Sequence, residues 1–134
     1  MTKEIINPPS LAKPVGFNHG ILTAGRRILF LAGQDASGPD GRIVAPGDLV
    51  AQCAQVLRNL RAVVEAAGGT MPDIVKLNLY VTDRQAYKEQ RRALAPLFRE
   101  HFGAYYPAMA LFEVVGLYQD DAMIEMEGFA ALPD

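Results

Sequence analysis

The sequence predicts an α+β sandwich in the order β-β-α-β-α-β-β, with two helices on one face of a sheet. Three observations carry that reading. Leu49, Cys53, Val56, Leu57, Leu60, Val63, Val64 and Ala67 recur at helical spacing, so one stripe of that segment is apolar. Short runs rich in Ile, Leu, Val and Phe lie on both sides of it, cut by Gly, Pro and Asp. Asp48 and Asp83 stand where helix N-caps belong, and Gly68-Gly69 supplies a helix stop.

Taken in order, residues 1–20 mix Pro, Gly and polar groups, with a short strand near 4–7. Residues 21–24 and 28–33 read as two strands joined by a tight Gly25-Arg26 turn. Ser37-Gly38-Pro39-Asp40-Gly41 is a loop by composition. Pro46-Gly47-Asp48 announces the first helix, which Gly68-Gly69 ends. A strand over 73–81 follows, then a second helix from Asp83 to about Phe102. Pro96 lies inside that helix and removes a backbone donor, which predicts a bend or a fresh turn there. Strands near 108–115 and 123–131, joined by the polar turn Gln119-Asp120-Asp121, finish the chain. No repeat or linker interrupts this order, so residues 1–134 form one domain.

Both faces of the strands carry apolar groups. Leu29 and Leu31 oppose Ile28 and Phe30; Met109 and Leu111 oppose Ala110 and Phe112. Two helices cover only one face, so the second is expected to pack against other copies of the chain.

Half of the residues are apolar and the net charge is −2. This near-neutral balance disfavours nucleic acid and anionic membrane as partners. No apolar run is long enough to span a bilayer, and the N-terminus has no secretory h-region, so a cytoplasmic protein is expected. The single cysteine, Cys53, lies on the apolar helix stripe and reads as packing, with no intrachain disulfide. His19 and His101 lack metal-ligand spacing, and no metal site is expected. Ser10 and Ser37 have no nucleophile-elbow context, and neither a P-loop nor a dinucleotide fingerprint occurs. Glu125 and Glu127 are two apart on a strand and share a face, beside Met123 and Phe129; that is costly unless something polar or cationic answers them.

Several short motifs occur together: Asn7-Pro8-Pro9, Leu31-Ala32-Gly33-Gln34, Gln55-Val56-Leu57-Arg58-Asn59-Leu60 and Ala66-Ala67-Gly68. Asp73-Ile74-Val75-Lys76, Tyr80-Val81-Thr82-Asp83 and Pro107-Ala108 follow in order. With these motifs the chain resembles the Rid family (YjgF/YER057c/UK114, also called endoribonuclease L-PSP) over nearly its whole length. The resemblance implies a chorismate-mutase-like, YjgF-like fold assembled as a homotrimeric barrel, with small-molecule clefts between subunits. It implies hydrolysis of 2-imino or 2-enamino acids to 2-oxo acids and ammonia, with no metal or organic cofactor. Some family members are described as endoribonucleases or translation inhibitors.

The resemblance also places site residues. The water-handling glutamate corresponds to Glu125, the cleft aromatic to Phe17, the glycine after the second strand to Gly33, and a cleft-edge helix residue to Arg91. Leu111 is the strand residue whose backbone would face ligand. The arginine that clamps the substrate carboxylate corresponds to Met109. A lost clamp on a desolvated carboxylate costs roughly 2–5 kcal/mol, on the order of 10² to 10⁴ in rate. A robust 2-iminoacid deaminase is therefore not expected unless Arg91 rebuilds the clamp. The apolar pocket fits an imine, an enamine or a related metabolite that leans less on an α-carboxylate. A non-catalytic binding or regulatory trimer is the alternative. Plainer readings stand beside each residue: an interface acid for Glu125, core packing for Met109 and Phe17, and a solvated basic stripe with Arg84, Lys88, Arg92 and Arg99 for Arg91.

Overall fold

The computed structural model describes residues 3–25 and 27–133. Its strands are β1 (Lys3–Ile6), β2 (Gly20–Thr23), β3 (Arg27–Gln34), β4 (Ile74–Val81), β5 (Ala108–Glu113) and β6 (Ile124–Leu132). Its α-helices are α1 (Leu49–Ala66), α2 (Arg84–Glu89) and α3 (Arg91–Phe102), with a 3₁₀ turn at Met71–Asp73. The α+β architecture with helices on one sheet face is the one the sequence predicts.

The first helix forms where its caps say. Asp48 Oδ1 accepts the Ala51 N–H at 3.0 Å. At the other end Gly68 takes φ +88°, and the N–H groups of Gly68 and Gly69 donate to Glu65 O and Val64 O. This is a Schellman close, and only a residue without Cβ adopts that φ cheaply. The second helical stretch departs from expectation. It breaks at Gln90, which closes α2 and opens α3 at φ −101°, ψ 15°. The Gln90 carbonyl accepts from both Ala93 and Leu94. Pro96 sits without a break inside α3, on its exposed side, where the missing donor costs little.

The main sheet has the order β3-β6-β4-β5, antiparallel except for β4 beside β5. The expected β2–β3 pairing does not occur: β2 pairs with β1, and β3 with β6. Gly25 turns at φ +64°, while Arg26 lies outside the described residues. Likewise β5 and β6 are not neighbours, since β4 runs between them. The residues that choose a strand's partner are distant in sequence, so local turn signals miss them.

Alternation sets the two faces. Leu77, Leu79 and Val81 of β4 and Ile124, Met126 and Ala130 of β6 are buried against the α1–α3 layer. On the other face, the central strands present Lys76, Asn78, Tyr80, Glu125 and Glu127. The flanking strands present Ile28, Phe30 and Phe112 there, beside Phe129 of β6. Phe30 is 73% exposed and meets Phe129 edge to face, ring centroids 5.3 Å apart. The outer face is thus polar in the middle and apolar towards both sides.

Close backbone approach fixes Gly128. A Cβ there would overlap the Lys76 carbonyl, where β4 carries a register shift between Ile74 and Lys76. Gly128→Ala is expected to cost about 3 kcal/mol in urea unfolding, and a loss below about 1 kcal/mol would contradict this packing.

His101 is 7% exposed in the last turn of α3, and its Nδ1 has no partner among the described residues. Burial holds its pKa below the ordinary value, helped by Arg61 and Arg58 across the α1–α3 contact and opposed by Glu100 and Glu65. The unfolded chain then takes the proton first as pH falls. Stability is full above the ordinary histidine pKa and declines as pH drops through 6.5 and below. Melting temperatures of wild type and His101→Phe should diverge on the acid side, with the shallower slope in the variant.

Candidate functional site

The residues singled out in the sequence fall into two groups on opposite faces of the main sheet. Phe17, Arg91, Met109 and Leu111 all line one cavity of about 430 Å³, between α2–α3 and β5. Met109 stands beside Leu77 and Leu111 beside Leu79, so both share the face of buried, helix-facing residues. Leu94 and Phe98 of α3 complete the apolar wall. Phe17 reaches the cavity on a loop tied down through Asn18. The Asn18 N–H donates to Pro107 O at 3.0 Å and its Nδ2 to Tyr106 O at 2.6 Å, while Asn7 Nδ2 donates to Asn18 Oδ1. These bonds bring the start of the chain against the segment that leads into Met109.

Gly33 and Glu125 form the second group. Glu125 lies opposite Tyr80 on the outer face, and its carboxylate fills the space that a side chain on Gly33 would occupy. Among the described residues Glu125 makes no hydrogen bond or ion pair. Burial raises its pKa above the ordinary carboxylate value, with further upward pushes from Asp35 and Glu127. Its neighbour two residues on is answered: Tyr80 Oη donates to Glu127 Oε2 at 2.5 Å. That bond raises the Tyr80 pKa, and the ring stacks on Phe112 at 5.6 Å. Of the two acids that share a face, Glu127 is satisfied within the chain and Glu125 is not.

Sequence reasoning missed the groups that set this environment. Asp35 is held by Asn59 of α1, whose Nδ2 donates to Asp35 O at 3.1 Å and Ser37 O at 2.9 Å. Asp35 Oδ1 in turn accepts from the Ser37 N–H at 3.0 Å. Asp35 lies two residues beyond Gly33, and that spacing was the available signal. Tyr80 had none, because its partner is 47 residues away. Among the described residues that line the cavity there is no carboxylate, and Arg91 is the one charged residue. Among the described residues no cluster of three or more His, Cys, Asp or Glu is placed to hold a metal ion. No helix there is long and apolar enough to cross a membrane.

Comparison with known proteins bears on the family and the fold. Residues 10–132 match the family model described as Endoribonuclease L-PSP. A RutC family protein of Pyrococcus horikoshii is 34% identical over 128 residues, covering 96% of this chain and 97% of the relative. A crystal structure from Yersinia pestis, YyfB, is described as a protein of unknown function of the conserved Rid protein family. It matches with a TM-score of 0.88 at 34% identity, over 98% of this chain and 100% of that one. The YjgF gene product from E. coli gives a TM-score of 0.69 at 33% identity, over 93% of each chain. A family model spanning almost the whole sequence, with relatives above 30% identity over nearly their full length, leads to one conclusion: the chain belongs to the Rid (YjgF-like, endoribonuclease L-PSP) family.

Proposed function

We propose that this protein hydrolyses a small imine or enamine in the manner of a deaminase, with Glu125 as the base that activates water. The observation that carries the reading is the unanswered Glu125 carboxylate, seated against Gly33 with its pKa raised by burial and by Asp35. A raised pKa makes it a stronger base than a solvated carboxylate. Glu125 takes a proton from water as the water oxygen bonds to the C=N carbon, and passes it to the nitrogen, giving a carbinolamine. Glu125 then moves the hydroxyl proton to the amine nitrogen, the C–N bond breaks as the carbonyl forms, and ammonia departs. An enamine enters the same route after protonation at carbon. Met109, in place of a cation, argues against a substrate held mainly by an α-carboxylate. No cofactor is needed for this chemistry.

Glu125 and the cavity lie on opposite faces of one chain, so the reading requires a second copy to bring them together. The apolar flanks of the outer face and the open edge of β5 favour such an assembly, and a homotrimer with inter-subunit clefts satisfies it. Light scattering should give three times the monomer mass at micromolar concentration; a monomer would remove the composite site. The direct test of function is the disappearance of a preformed aliphatic imine in the presence of wild-type protein. A rate equal to buffer alone would overturn the hydrolytic reading.

One observation favours a second reading, a non-catalytic binding trimer: the cavity wall itself offers no acid or base beyond Arg91 and tyrosine hydroxyls. A small metabolite that raises the melting temperature and is recovered unchanged would support it. RNA cleavage fits least. The net charge is −2, and the exposed basic residues Arg84, Lys88, Arg92 and Arg99 are confined to α2–α3.

A further inference from the structure

Two carboxylates act on Glu125 through space, Asp35 and Glu127, and a hydroxyl group pins each of them. Asp35 Oδ1 accepts from the Ser37 N–H at 3.0 Å and from the Ser37 hydroxyl at 2.5 Å. Gln119 Nε2 donates to Ser37 Oγ at 3.1 Å and to Gly41 O at 2.9 Å. With an N–H on one of its lone pairs, the hydroxyl is left to give its own proton to Asp35. Tyr80 Oη donates to Glu127 in the same way, and its ring is held by the stack on Phe112. Glu125 lies opposite Tyr80 in the β4–β6 register and accepts no such bond among the described residues. The one cation on this face is Lys76 of β4, which makes no ion pair among the described residues. The outward residues of β3 and β5 add no charged group.

Neighbouring carboxylates repel, and free side chains relieve the repulsion by turning apart. A carboxylate oxygen held by a fixed hydroxyl does not turn away freely, because it would leave that donor behind. We infer that Ser37 and Tyr80 are positioning residues for the proposed hydrolysis: their hydroxyls hold Asp35 and Glu127 in place, so that both charges stay beside Glu125 and Glu125 remains the carboxylate open to water. The inference rests on the proposed function and adds two residues that act through the acids they hold. It also gives Ser37 a role other than nucleophile, since its hydroxyl is committed to Asp35. Without its hydroxyl partner, each acid swings away from Glu125 and the repulsion falls. Glu125 then gives up its proton at lower pH and is a weaker base.

The test follows the NMR resonance of the Glu125 side-chain carboxyl against pH, assigned with Glu125→Gln. Beside it runs the pH profile for a preformed aliphatic imine without an α-carboxylate. In Ser37→Ala and in Tyr80→Phe the Glu125 midpoint should move to lower pH. The hydrolysis limb should move with it. Relative to its own plateau, each variant should be roughly two- to fivefold faster than wild type on the acid side, and the plateau itself should be lower. General loss of structure lowers the rate at every pH and gives no such change of shape. Ser37→Thr, which keeps a hydroxyl, should keep the wild-type midpoint. Ser37→Ala should add nothing in an Asp35→Asn background, nor Tyr80→Phe in a Glu127→Gln background. A midpoint that stays put in either variant, or a shift that persists in those backgrounds, would overturn the inference. The two proposals fail separately. Midpoints that move as expected in a protein inert towards imines sustain the pinning and remove the hydrolase. Imine hydrolysis with unmoved midpoints does the reverse.

Discussion

Met109→Arg is expected to raise hydrolysis of a 2-iminoacid by on the order of 10² to 10⁴ over wild type. Met109 lines the cavity on the helix-facing side of β5, and its environment there is only half-buried. An arginine can therefore extend into the open volume without being sealed in apolar surroundings, which would otherwise cost several kcal/mol. There it offers the α-carboxylate a bidentate partner close to the strand, which Arg91 on the helix does not provide. The gain should appear mainly as kcat/KM for iminoacids, and little for imines without a carboxylate. A folded variant with no gain would mean that the cleft differs from a deaminase by more than one missing cation.

Glu125→Ala is expected to lower imine hydrolysis by about 10² to 10⁴, the range for loss of a positioned general base. The pH profile separates this from a structural role. Hydrolysis needs the ionised carboxylate, so activity should rise with pH through a limb above 4.5. Asp35 is the foremost charge raising that pKa, so Asp35→Asn should move the limb to lower pH. Stability should respond in the opposite sense to activity. The folded state holds the Glu125 proton more tightly than the unfolded chain does. As pH rises from the unfolded pKa through the folded one, unfolding is favoured, and the ionised group is a burden at neutral pH. Glu125→Gln should therefore melt at a higher temperature than wild type while being inactive. A destabilised variant would point to a purely structural acid.

How much of this was legible beforehand depends on the range of the interactions. The first helix was readable because Asp48, the apolar stripe and Gly68 are all local signals, and the chain obeys them. The break at Gln90 was not, because no Gly or Pro marks it. Strand partners were not legible either: β3 chose β6, about a hundred residues away, over its sequence neighbour. At the site, period-two spacing put Glu125 and Glu127 on one face, but only the fold reveals that Tyr80 answers Glu127 and leaves Glu125 open. The grouping of Phe17, Arg91, Met109 and Leu111 in one cavity depends on a loop, a helix and an edge strand that meet only in three dimensions. The resemblance pointed to those residues; composition and spacing did not.

The central claim is that Glu125 activates water for attack on a C=N bond. The most direct measurement adds a preformed aliphatic imine without an α-carboxylate and follows its decay with wild type, Glu125→Ala or buffer. Wild type should exceed buffer, and Glu125→Ala should fall close to it. Wild type and Glu125→Ala both decaying at the buffer rate, or both accelerating it equally, would contradict the claim.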